Sequence, residues 1–222
     1  VRVLRLLLPL TSDSMILRSY TIERVIEQSI KNAAPDELLE ISEAVARAAS
    51  LGEARAGDAR GRWHLRWLGK LSQAHLPASE AAIAAATALL RHPAWRVRKA
   101  AWTLIAEIAK LDGLELSEED QQQWGVKASL MLQDDPIVEV RAAAARALAA
   151  LGSAGHAPGL VSALSAPSFD LRDSAEQALS AIIKRSDGIA VARALFPLAS
   201  NSTSEEATPL EARNAALRLL GK

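Results

Sequence analysis

Side chains able to ligate a metal or carry acid–base chemistry are sparse in this sequence. It has four histidines, His64, His75, His92 and His156, and no cysteine. A zinc or iron site needs imidazoles, thiolates or carboxylates at spacings that let one helix or turn present two of them together. No two of these histidines stand at such a spacing, and no His-Glu pair occurs. They read as surface or turn residues. The stretch Gly52-Glu-Ala-Arg-Ala-Gly57 imitates the opening of a phosphate-binding loop, but Asp58 and Ala59 follow where Lys and Ser or Thr are required, and no strand precedes it. It reads as a loop. No Gly-x-Ser-x-Gly elbow is present, and Glu118-Glu119-Asp120 most simply complements a helix dipole. The sequence therefore assigns no catalytic residue, no metal and no cofactor, and the chain is expected not to be an enzyme.

The rest of the sequence describes a scaffold. Half of the 222 residues are hydrophobic but only 4% are aromatic, and the apolar content is mostly Ala and Leu. These are the strongest apolar helix formers, so the composition predicts an all-α fold. Net charge is zero, which gives no general attraction to nucleic acid or membrane. The absence of cysteine excludes disulfides and fits an intracellular setting. The apolar run Leu6-Leu7-Leu8-Pro9-Leu10 is far shorter than a membrane span and lacks the features of a signal peptide. The first residue is Val, and the chain is expected to be a piece of a longer one.

A period runs through it. Val97-Arg98 is followed by Ala101 and Ile105, and the same frame recurs at Val140-Arg141, Ala144, Leu148, at Leu171-Arg172, Ala175, Leu179 and at Ala212-Arg213, Ala216, Leu220. Leu17-Arg18, Thr21, Val25 fits loosely, and Leu65-Arg66, Gly69 fits with Gln73 in the last place. Offsets of four and eight put three side chains on one helix face. The small middle residue admits a neighbouring helix, and the large ones fill the space around it. Pro93, Pro136, Pro167 and Pro209 stand three or four residues before the anchors, which predicts a proline in each helix's first turn. Residues 78–91, 117–132, 158–165 and 188–196 carry helical spacing too, with Ser117 and Asp120 as a capping pair. The unit is helix, turn, helix, six times over.

Residues 133–148, QDDPIVEVRAAAARAL, carry this pattern most fully, and it resembles the HEAT repeat. The resemblance implies a right-handed α–α superhelix, an α-solenoid of about six helix pairs, over 1–32, 33–75, 77–111, 117–152, 156–186 and 188–221. Residues 51–61 depart from it. In that family the second helices line a concave face. The recurring arginine, here Arg98, Arg141, Arg172 and Arg213, bonds an acidic or backbone group of the adjacent repeat as a structural ladder. Neither end of this chain carries a polar cap, so further repeats or domains are expected beyond both. Iron-binding HEAT enzymes carry the His-Glu pairs that this chain lacks. Tubulin-binding modules and bilin lyases with HEAT repeats are weaker analogies, since Met15 lies where the former place a tryptophan and nothing marks a pigment site.

Five tryptophans interrupt the alanine-rich pattern. Trp63 and Trp95 stand two residues before their anchors, a place that is apolar in every repeat, and are expected in the core. Trp124 is expected between layers. Trp67 and Trp102 fall at places of varying character, off the apolar stripe, and two readings stand for them: packing against the next second helix, or an exposed aromatic anchor for a partner. Residues 59–110 hold nine basic and two acidic residues in this neutral chain. The resulting expectation is a scaffold that binds another protein, one with an acidic surface, along its curved face. Trp67, Lys70, Lys99 and Trp102 would form the contact, with Arg62, Arg66 and Arg96 steering the partner. Nucleic acid, gripped as by HEAT-like DNA glycosylases, is the alternative, and no membrane is expected to be involved.

Overall fold

The structure, a computed structural model, describes residues 20–51, 58–185, 188–200 and 209–221. The anchor Leu17-Arg18, Met15 and the loop 52–57 lie outside these residues. Among the described residues the chain forms eleven α-helices and one short 3-10 turn, with no strand. The fold is all-α. No helix among them is long and apolar enough to cross a membrane.

The helices form two compact units that meet between Leu114 and Glu115. The first holds α1 (Tyr20–Asn32), α2 (Pro35–Leu51), α3 (Asp58–Ala74), α4 (Ala78–Leu89) and α5 (Trp95–Ile108). Helix α2 packs on α3 and α4 on α5, while α2 also lies against α4, and α3 against α5. The unit is thus two layers, with α1 packed beside α3. The second unit repeats this scheme with α6 (Glu118–Asp134), α7 (Val138–Leu151), α8 (Ala157–Ala163), α9 (Phe169–Arg185), α10 (Gly188–Ser200) and α11 (Leu210–Leu220). There α7 packs on α9 and α9 on α11, with α6, α8 and α10 in the other layer.

The small seam residues Ala101, Ala144, Ala175 and Ala216 are all fully buried, as are the anchors Val97, Val140, Leu171 and Ala212. Offsets of four along a helix put these pairs on the buried stripe. Ser117 caps α6, its Oγ accepting from the Asp120 amide at 3.0 Å. The second helices start differently. Ala94 and Ile137 precede α5 and α7 in extended conformation, without a side-chain cap. Such a cap swings the chain between antiparallel helices, and it separates Pro93 and Pro136 from the first turn where the sequence had placed them. Pro209 is itself the cap of α11.

The recurring arginines also differ from the expected ladder. Arg141 Nε donates to the Leu132 carbonyl at 2.8 Å, and Arg213 Nε to that of Ala199 at 3.1 Å. Arg98 donates to the carbonyls of His92 and Pro93, and Arg172 to those of Ala166 and Pro167. Each caps the first helix or turn of its own pair, because a helix C-terminus leaves carbonyls unpaired and its dipole favours a cation there. Arg172 also reaches the next pair, at Glu211, 2.6 Å away. In the same turns, His92 Nδ1 accepts from the Ala94 amide at 3.1 Å and Asp135 Oδ1 from that of Ile137 at 2.9 Å.

His64 is not the surface residue its sequence context suggested. It is fully buried in α3, with the Trp63 ring edge-on at 5.4 Å. Burial, helped by the nearby Arg60 charge, lowers its pKa from 6.5 to about 4. Below pH 6.5 the unfolded chain takes up a proton that the folded chain refuses until about pH 4. Stability that is complete above pH 6.5 is therefore lost as the pH falls through this window, by about 3 kcal/mol in full. Denaturant unfolding at about pH 7.5 and about pH 5 should show the loss in the wild type and a smaller one in His64→Leu. Equal acid sensitivity in both would remove His64 as its source.

Candidate functional site

Helices α3 and α5 lie side by side in the second-helix layer, and the chain reverses twice between them. They therefore run parallel. Residues spaced three and four apart then face one another across the gap, turn by turn. On α3 these are Arg62, Arg66 and Lys70; on α5 they are Arg96, Lys99 and Thr103. They bound an open groove of about 570 Å³. Leu65 and Leu104, both buried, form the floor. Gly69 makes the close approach possible: a Cβ there would stand 3.2 Å from Leu104 Cδ1 and 3.5 Å from Glu107 Oε2. Gln73, in the place where other repeats carry a large apolar residue, is exposed and lines the far end.

The structure thus gathers Arg62, Arg66, Lys70, Arg96 and Lys99 around one groove. It does not bring Trp67 or Trp102 there. Both are buried, to 1% and 0% exposure, and are among the largest fully buried side chains in the chain. This overturns the exposed-anchor reading and favours the other, packing between neighbouring helices. Each lies off its own helix's apolar stripe, but in two packed layers the flank of a second helix is covered by the next one. Lys70 also lies over the Trp67 ring, 4.9 Å from its centroid. Trp95 is the tryptophan that reaches the groove. It is half-buried rather than core, with Arg96 stacked 4.7 Å from its ring centroid. It is the first residue of α5, at the edge of the layer, and there an apolar residue is only partly covered. Phe169 and Leu210 open α9 and α11 in the same way and are each 70% exposed. Trp63 and Trp124 are buried, as expected.

The electrostatics are less one-sided than the sequence suggested. Arg66 Nη1 pairs with Glu23 of α1 at 2.7 Å, and Lys70 pairs with Glu27 one turn on. The hydrogen bond from Lys70, with its charge, holds the Glu27 carboxyl below its ordinary pKa. Sequence reasoning missed both glutamates because they lie 43 residues away. The available signal was their spacing, four apart on a helix, matching Arg66 and Lys70. Among the described residues no carboxylate pairs with Lys99. Glu107, at the far end, is the one acid among the described lining residues, and partial desolvation raises its pKa. The groove is thus cationic along its first turns and carboxylate-tipped at its end. Among the described residues no three His, Asp or Glu side chains converge as a metal site would need.

No family model matches the chain, and no curated protein matches it. Among solved structures it is similar to an engineered protein, a Northeast Structural Genomics Consortium target solved by crystallography. The two share 19% identity with a TM-score of 0.54, over 88% of this chain and 95% of the other. The likeness concerns the fold.

The indole N–H groups of Trp67 and Trp102 are buried without a hydrogen-bond partner among the described residues, which sets the cost of changing them. Trp102→Ala should destabilise the chain by about 3–5 kcal/mol through the cavity it leaves. Trp102→Phe sheds an unpaired donor with part of the ring and should cost under about 2 kcal/mol. Urea unfolding measures both, and a mild effect of the alanine variant would return Trp102 to the surface.

Proposed function

We propose that the chain is a non-enzymatic scaffold, an α-solenoid of HEAT-like helix pairs that binds an acidic protein partner through the α3/α5 groove. The observation that carries this is the convergence of five cationic side chains on one groove with an apolar floor. An interaction site of this kind combines a small dry centre with a polar rim that sets partner choice and encounter rate. Support for the solenoid comes from the pairwise layering repeated within each unit and from the buried seam of small residues.

The same cations raise the alternative of nucleic acid. The ion pairs to Glu23 and Glu27 speak against it. They engage Arg66 and Lys70 within the chain, whereas phosphate backbones are held by long rows of cations whose counterion release makes binding steeply salt-dependent.

The test is a nuclease-treated pull-down from source extract, comparing the wild type with Arg62→Glu/Lys99→Glu. Proteins retained by the wild type and lost by the variant are expected, with helicity unchanged. Retention that disappears on nuclease treatment of the wild type would move the function to nucleic acid.

A further inference from the structure

The last helix of the second unit has one flank that is apolar and open. In α11 the buried stripe runs through Ala212, Ala216 and Leu219. On one side of it lies α9, whose Arg172 and Glu176 meet Glu211 and Arg218. The other side carries Leu210, Arg213, Leu217 and Leu220, which fall within about 80° of one another at helical spacing. In α7 the matching places, five and eight residues after the anchor, hold Ala145 and Leu148; both are fully buried, and α9 packs on that helix. Leu217 and Leu220 hold these places in α11, yet Leu217 is 51% exposed and Leu220 is exposed as well. Helix α10 continues the face. Arg213 reaches the Ala199 carbonyl while Leu220 adjoins Ala192, so α10 and α11 run antiparallel. Ala192, Leu195, Leu219 and Leu220 share a hollow of about 400 Å³ that no charged side chain lines. Phe196, one turn beyond Ala192, is 64% exposed.

From this face we infer that the chain pairs with a second copy of itself, α10 and α11 of one copy lying against α10 and α11 of the other about a two-fold axis, as a four-helix bundle. Spacing, charge and size all select a second copy. Leu210, Arg213, Leu217 and Leu220 stand three, four and three residues apart, a pattern that reads the same in both directions. An antiparallel copy therefore sets Leu210 against Leu220 and Leu217 against Arg213. The aliphatic stem of Arg213 can cover Leu217 there, because its Nε is already held at the Ala199 carbonyl. The net charge of zero removes the long-range repulsion that keeps strongly charged proteins monomeric. The face is two helices wide, and a lone docked helix covers only part of it. A matching pair of helices covers both, and comes nearer to the roughly 800 Å² that a standard interface takes from each partner. The contact continues outward the packing by which α9 joins α7 and α11 joins α9 within the unit.

Sedimentation velocity of the full chain, from about 1 to about 100 µM, reads the pairing directly. The mass is expected to rise with concentration from the 23.7 kDa of one chain toward twice that value. Phe196→Glu/Leu217→Glu alters two exposed places and should weaken the pairing by at least about tenfold. Val126→Glu/Leu130→Glu, at exposed apolar places on α6, should leave it unchanged. Circular dichroism confirms that both variants are folded. The chain has no cysteine, so Leu210→Cys and Leu220→Cys can be introduced singly. Mixed and mildly oxidised, copies of one should link to copies of the other and not to their own kind. A wild type that stays monomeric at every concentration overturns the inference and leaves the face to a different protein. Pairing that survives Phe196→Glu/Leu217→Glu, or that falls equally in the α6 variant, overturns it by placing the contact elsewhere. Links between like copies overturn the antiparallel two-fold arrangement.

Discussion

Second helices can lie flank to flank only where one position on each carries almost no side chain. In this chain that position is Gly69 in α3, Ala101 in α5, Ala144 in α7, Ala175 in α9 and Ala216 in α11, and every one of them is buried. Each sits one turn after a buried anchor, so the space it leaves open is at a fixed height. Larger residues above and below close it, as Ile105, Leu148 and Leu179 do with almost no exposure. Close packing of this kind tolerates little added volume. The turns, the arginine caps and the groove all depend on that spacing, because each is assembled from residues at set offsets from the seam.

The groove is what happens when the seam is modified in one pair. Gly69 lets Leu104 of α5 approach to 3.2 Å from where a Cβ would stand, and Gln73 declines to fill the space one turn later. The rims are then free to carry charge, and cations at helical spacing occupy both. Internal carboxylates restrain this surface. Glu23 and Glu27 balance part of it, just as Glu176 pairs with Arg218 at 2.7 Å in the second unit.

Much of the helix pattern was legible in the residues. Anchor, small residue and large residue located the second helices, and α4, α6, α8 and α10 fall within a few residues of the expected stretches. The five groove cations were also found, since local surplus charge survives folding on surface helices. What was not legible depends on neighbours. The helical angle of Trp102 is readable, but whether the adjoining helix covers that angle or leaves it open is not decided by the residues of one helix. Trp95, Phe169 and Leu210 share an apolar place with the buried Trp63, yet a helix's first residue at a layer edge stays open. The glutamates opposite Arg66 and Lys70 belong to another helix, and no local window contains both. The arginines were recognised as structural, but all four donate to carbonyls of their own pair, with Arg172 in addition meeting Glu211 of the next.

The seam itself is most directly tested by adding volume to it. Ala101→Leu and Ala175→Leu, each at a fully buried place, can be compared by urea unfolding with Ala84→Leu on the exposed side of α4. The account predicts that both seam variants lose about 1–3 kcal/mol or more, while Ala84→Leu stays within about 0.5 kcal/mol of the wild type. Seam variants as stable as the surface control would contradict it.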